Sequence, residues 1–269
     1  MKEMTSDEKR AAVRDNYASV AKRDAGSCGC NPSSSCCEPA AKNVDEFAQA
    51  MGYSLDDLED VPEGANMGLG CGNPHAIANL KPGETVLDLG SGGGFDCFLA
   101  ARQVGESGHV IGVDMTPEMI DMARMKALTG NLQNVDFRLG EIENLPVADG
   151  SIDVILSNCV VNLSPNKPRV FREAFRVLRA GGRLSFSDIV AVKPLPVDIQ
   201  NNAVLISGCI GGAALVESIE QMLAEAGFAD IHVNQKPESR EMIRQWAPGT
   251  DIADFVVSAT IEARKSLNA

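Results

Sequence analysis

The segment Val86-Leu87-Asp88-Leu89-Gly90-Ser91-Gly92-Gly93-Gly94-Phe95-Asp96-Cys97 decides the fold of this 269-residue chain. An apolar, β-type run reaches an acid, enters a glycine cluster and leaves in a helical pattern (Phe98, Leu99, Ala100, Ala101). Strand, glycine turn and helix in that order make the first unit of a doubly wound nucleotide-binding sheet. Glycine lets the backbone turn tightly and approach a ligand closely, and the helix that follows offers free N–H groups at its start. The next strand-like run, His109-Val110-Ile111-Gly112-Val113, closes on Asp114. An acid about 20 residues beyond the loop is what ribose recognition requires.

Outward from that segment, strand and helix signals alternate. Strands are expected at 85–89, 110–113, 134–139, 152–157 and 183–189. Helices are expected over about 95–104, after Thr116 as N-cap with Pro117 in the first turn, and from Ser164-Pro165 onward. The last carries Val170, Phe171, Ala174, Phe175 and Leu178 at helical spacing. A capping box, Ser218-x-x-Gln221, opens another helix that stops at Gly227, and runs at 229–234 and 254–264 read as two late strands. The expected fold is α/β and Rossmann-like: a seven-stranded, mostly parallel, twisted sheet with helices on both faces. Upstream, residues 6–22 read as an amphipathic helix with Val13, Tyr17, Val20 and Ala21 on one face, and 44–51 as a short helix. The expected division is an N-terminal helix and Cys-rich lid (1–66), the nucleotide-binding core (67–192) and a C-terminal, substrate-side segment completing the sheet (193–269).

Composition narrows the function. With 44% hydrophobic and 23% charged residues this reads as a soluble globular chain, and no run approaches the ~18 apolar residues of a membrane span. No apolar leader follows Met1, so the cytoplasm is the expected compartment and no membrane partner is expected. A net charge of −13 without any basic stripe argues against a nucleic-acid partner. Eight cysteines in a reducing compartment point to metal or catalytic chemistry, although an isolated one also serves as a small buried hydrophobe.

The glycine loop departs from the dinucleotide pattern, because Phe95 stands where the third glycine would pack against the helix. Asp88-x-Gly90-x-Gly92-x-Gly94 instead resembles the first motif of class I S-adenosylmethionine-dependent methyltransferases. By that resemblance Asp88, Gly90, Ser91, Gly92 and Gly94 lie against the methionine and ribose portions of S-adenosylmethionine. Asp114 would accept the ribose hydroxyls and Met115 would lie on the adenine. Glu141 and Ile142, in Gly140-Glu141-Ile142-Glu143, would border the adenine edge, and Asn158 would face the reacting methyl. Read locally, Asp88 also suits a turn cap and Glu141 a solvated loop acid.

Three cysteines stand beside glycines or strand ends: Cys71 in Gly68-Leu69-Gly70-Cys71-Gly72-Asn73-Pro74, Cys159 after Ser157-Asn158, and Cys209 in Ser207-Gly208-Cys209-Ile210-Gly211-Gly212. Three sulfurs suit a soft, thiophilic centre, and a trivalent metalloid keeps a lone pair that attacks a sulfonium methyl without a general base. His75, His109 and His232 are scattered, so no acid–base constellation competes. Together with Gly112-Val113-Asp114-Met115-Thr116-Pro117-Glu118-Met119, these segments resemble the arsenite methyltransferase family of the short microbial type. The resemblance implies Cys71, Cys159 and Cys209 as As(III) ligands. It also implies arsenite or its thiol conjugates as substrate, and a thiol or thioredoxin-type reductant. Cys28, Cys30, Cys36 and Cys37 are candidates for an accessory thiol, with a four-thiolate zinc site as the other reading of that loop. Cys97 matches a position that pairs with an N-terminal cysteine in longer relatives, and reads equally as a buried hydrophobe. A methyltransferase acting on a small organic acceptor, such as a quinone precursor, and a non-catalytic metalloid-binding protein are the competing functions. Trp246, the only tryptophan, is expected to pack the last sheet edge.

Overall fold

The computed structural model describes residues 4–25, 41–59, 61–246 and 250–267. The loop cysteines Cys28, Cys30, Cys36 and Cys37 lie outside them, and so do the expectations attached to that loop. The chain opens with α1 (Ser6–Ala25), α2 (Ala41–Ala50), α3 (Leu55–Glu59) and α4 (His75–Ala78). The sheet then builds through β1 (Thr85–Leu89), α5 (Phe95–Val104), β2 (His109–Asp114), α6 (Pro117–Thr129), β3 (Val135–Leu139), β4 (Ile152–Asn158), α7 (Lys167–Val177) and β5 (Leu178–Ala191). Two short helices follow, α8 (Val197–Gln200) and α9 (Ala203–Ser207). The remainder is α10 (Val216–Ala226), β6 (Phe228–Lys236), α11 (Arg240–Trp246) and β7 (Val256–Lys265).

Seven strands stand in the order β3-β2-β1-β4-β5-β7-β6. The first five are parallel, and β7 inserts antiparallel between β5 and β6. The order reverses between β1 and β4, which is where open α/β sheets leave a crevice beyond the strand ends. Alternation along the strands feeds two cores, one on each face. Leu87, Leu89 and Ile155 join Phe171, Phe186 and the α7/α10 side, while Val86, Val110 and Val154 join Phe98, Ile120 and the α5/α6 side. A third apolar cluster lies beyond the strand ends, where Val13, Cys71, Leu163, Ile206, Cys209, Ile243 and Ile252 pack together.

Three helix starts differ from expectation. Ser164 does not open α7: its Oγ donates to Glu143 Oε1 at 2.6 Å, and Asn166 caps instead, accepting from Arg169 N at 3.2 Å. The box at Ser218 is not used either, since α10 begins two residues earlier on an extended Leu215. The acidic stretch at 55–66 also contains a helix, α3. An unforeseen capping box starts α1, with Thr5 N donating to Glu8 Oε2 (2.7 Å) and Glu8 N donating to Thr5 Oγ1 (3.2 Å).

Candidate active site

A cavity of about 490 Å³ lies over the ends of β1, β2 and β4, within the ~300–1,000 Å³ of small-molecule sites. Its floor is the β1–α5 loop. Gly90, Gly92 and Gly94 have φ of 73°, 50° and 93°, the left-handed region that glycine enters without strain. At Gly90 a Cβ would also stand 2.5 Å from the Val160 methyls, so no other residue fits. Asp114, at the end of β2, is held by Gly92 N on Oδ2 (3.0 Å) and Thr116 N on Oδ1 (2.8 Å). Each oxygen keeps a lone pair for a hydroxyl. The Ser91 hydroxyl is buried at the cavity wall without a partner. This floor fits a ribosyl ligand: fixed acceptors, an orphaned hydroxyl and glycine backbone with no side chain in the way.

The opposite wall comes from α1, with Arg10, Val13, Asn16, Tyr17 and Val20, and from Phe47 and Trp246. Trp246 therefore lines the cavity, its ring centroid 6.5 Å from that of Phe47, and does not simply pack the sheet edge. The helix α11 carries it there. Tyr17 Oη donates to Ser207 O at 3.3 Å, tying α1 to the segment that bears Cys209.

The three cysteines meet. Cys159 and Cys209 line the cavity, and Cys71 lies behind them, with its Sγ, that of Cys159 and a carboxylate oxygen of Asp188 all within 4.8 Å of one another. Cys159 interacts electrostatically with both other thiols, and Cys209, outside that 4.8 Å group, donates from its Sγ to Cys159 O. Cys159 and Cys209 have φ of 59° and 64°, an uncommon conformation for a residue with a Cβ. Cys71 reaches the cluster because Gly72 lets its turn press against β5: a Cβ at Gly72 would meet Ser187 Cβ at 2.8 Å. Burial pushes the Cys71 thiol up to about 11 and raises those of Cys159 and Cys209 as well, Cys159 further through its two sulfur neighbours. For Cys209 the hydrogen bond with Cys159 acts first and downward, and burial with Asp188 outweighs it.

Asn158 lines the cavity, but its amide is engaged elsewhere: Nδ2 donates to Gly72 O (2.9 Å) and Tyr53 Oη (3.0 Å), and Oδ1 accepts from Cys71 N (3.1 Å). It pins the Cys71 turn to β4. Asp88 is buried at the same wall and its carboxyl is raised to about 8, first by burial and then by Asp96. Cys97 Sγ donates to Asp88 Oδ2 at 3.3 Å from wholly inside the core. Asp96 accepts from Tyr53 Oη at 2.7 Å, and His75 Nε2 stands 3.3 Å from it without hydrogen-bond alignment.

Among the residues expected at the cofactor, Asp88, Gly90, Ser91, Gly92, Asp114, Met115, Ile142 and Asn158 line the cavity. Glu141 and Gly94 do not. Glu141 is exposed, with Arg10 Nε 3.8 Å from its Oε2, while Glu143 lines the wall with Arg10 Nε 3.5 Å from its Oε1. Gly94 is the residue before α5, backed by Phe98 and Phe137. Sequence reading passed over Tyr53, Asp96, Glu143, Asn162 and Asp188. The one available sign was Ser185-Phe186-Ser187-Asp188, a polar run in a strand buried on both faces.

Comparison with known proteins agrees with this geometry. Residues 80–227 match the family model described as a methyltransferase domain. The chain is 50% identical over 264 residues to the arsenite methyltransferase of Halobacterium salinarum, covering 96% of this chain and 67% of that one. With the arsenite methyltransferase of Mus musculus it shares 34% over 232 residues, 83% of this chain and 58% of that one. The chain thus spans two thirds or less of the length of these relatives. The crystal structure of an arsenic(III) S-adenosylmethionine methyltransferase from Chlamydomonas reinhardtii superposes with a TM-score of 0.61 at 33% identity, covering 82% of this chain and 73% of that one. By its methyltransferase domain and by these relatives, the chain belongs to the arsenite methyltransferase family.

Proposed function

We propose that the chain transfers the methyl group of S-adenosylmethionine to As(III) held by Cys71, Cys159 and Cys209, giving methylated arsenicals and S-adenosylhomocysteine. The observation that carries this is the convergence of three thiols from separate segments, two of them on the cavity that also holds the glycine loop and Asp114. When bound, S-adenosylmethionine would supply an electrophilic methyl on a sulfonium. Asp114 and the 90–93 backbone would hold its ribosyl part, leaving the methyl to face Cys159 and Cys209.

The raised thiols refine the chemistry. Burial favours the S–H form of the three thiols, and neutral arsenous acid suits them: each S–H gives its proton to a departing hydroxyl, which leaves as water. No charge has to be buried during loading. The wall of α1, Phe47 and Trp246 then excludes water around the reacting pair, and catalysis is largely orientation. A thiol or thioredoxin-type reductant would release the product and reset the sulfurs, and the N-terminal segment would serve as the lid.

Product speciation from arsenite, labelled cofactor and a thiol reductant tests the reading. Methylated arsenic with label is expected, and Cys159→Ser should lose it by at least about 10²-fold, as for loss of a group acting on the reacting atoms. Wild-type turnover in that variant would overturn the thiol mechanism.

A further inference from the structure

Asp188 has no part in the scheme above, yet its carboxyl lies among the thiols. It is 2% exposed on β5, with an oxygen inside the 4.8 Å cluster formed with Cys71 and Cys159. Both oxygens are fixed: Oδ1 accepts from Asn162 Nδ2 (2.9 Å) and Ile189 N (2.8 Å), and Oδ2 from Asn162 N (3.0 Å). Cys159 and Cys209 line the cavity, whereas Cys71 and Asp188 do not. From the cofactor side inward the sequence is therefore cavity, then Cys159 and Cys209, then Cys71 with Asp188.

We propose that Asp188 stabilises the positive charge that methyl transfer delivers to the metalloid. This rests on the arsenite reading. In the step, the As(III) lone pair forms the new As–C bond while the methyl–sulfonium C–S bond breaks, and that electron pair stays on the departing sulfur. Arsenic is formally oxidised, the sulfonium becomes a neutral thioether, and no proton or external oxidant enters. Positive charge thus leaves the cavity and appears on an arsenic bonded to three sulfurs, closer to Asp188. The Asp188 carboxyl behind those sulfurs, raised by burial to about 7, interacts in its ionised form more strongly with the transition state than with the loaded ground state. Asn162 and the Ile189 amide orient the carboxylate before the reaction, so no reorganisation accompanies charge transfer. Lys167, at the start of α7, is a buried neighbour that burial lowers to about 8 and Asp188 favours in its charged form.

Single-turnover methyl transfer in Asp188→Asn and Asp188→Ser tests this, alongside arsenite affinity read from the fluorescence of Trp246. The expected result is a rate about 10²-fold lower with arsenite affinity and melting temperature unchanged. A wild-type rate in either folded variant overturns the proposal. So does a rate loss matched by an equal loss of arsenite affinity, or the failure of both variants to fold, because the carboxylate would then be holding the strand end. Wild-type protein that binds arsenite without methylating it defeats the arsenite reading itself, and that result is visible before any variant is made.

Discussion

Cys159 meets two demands at once: its thiol interacts with both others, and its backbone sits at φ 59° to bring it there. The conformation is held by Cys159 N donating to Ser187 O at 2.8 Å. A residue with a Cβ in that region stores about 1–3 kcal/mol. Cys159→Gly should therefore melt at or above the wild-type temperature while losing arsenite methylation, since strain and function leave together. A thermal melt far below wild type would show that the backbone is unstrained there. Cys209, at φ 64°, repeats the arrangement, so two of the three proposed ligands are held where a side chain is unfavourable. Strain clustered at such a point belongs with function more than with folding.

At the scale of elements, α1 decides how closed the cavity is. Val13 is fully buried among Cys71, Ile206 and Cys209, and the capping box at Thr5 and Glu8 fixes where the helix begins. A carboxylate placed in that contact has no partner, and an unpaired buried charge costs several kcal/mol. Val13→Asp should undock α1 and raise the KM for arsenite at least about tenfold, the equivalent of ~1.4 kcal/mol. The sheet should keep its cooperative unfolding, because neither of its two cores draws a residue from α1. Loss of the far-UV signal of the whole protein would show instead that α1 is integral to the fold. The cores themselves are typical of a doubly wound sheet, with Phe171 and Phe186 at 6.0 Å and Phe98 and Phe137 at 5.8 Å between centroids.

For the whole molecule, the buried acids set a pH dependence of stability. Asp88 is raised to about 8 and Asp188 to about 7, both first by burial. For His75 burial acts downward, and Asp96 with Asp88 more than reverses it, leaving the imidazole raised. All three hold a proton more tightly folded than unfolded, so each loses stabilisation as pH rises through its folded value. Between pH 6 and 8 the three effects share one sign. The ligand-free protein should melt higher at pH 6 than at pH 8, with each kcal/mol worth about 2–4 °C in a chain of this size. Calorimetric melts across that range check it, and a higher melting temperature at pH 8 would contradict the assignment of these groups. Below about pH 4.5 Glu84 and Glu173 act in the opposite sense, because both are held low: Glu84 by Arg183 against its own burial, Glu173 first by Arg176. Among the described residues no helix is long and apolar enough to cross a membrane.

Sequence by itself determined the doubly wound sheet and the floor of the cavity. Both depend on short-range physics: alternation along strands, glycine where φ must be positive, and an acid at a strand end. Asp88, Gly90, Gly92 and Asp114 were legible for that reason, as was the proximity of Cys71, Cys159 and Cys209 to turns. Tertiary structure alone decided the sheet order beyond β5, the place of Trp246 on the cavity, and the place of Glu143 at its wall. It also decided Asp188. Residues 71, 159 and 188 come from separate segments, and only the packing of β4, β5 and the turns around them brings an acid against two of the sulfurs. Local pattern records which face a residue takes, whereas the charge it meets there depends on segments far away along the chain.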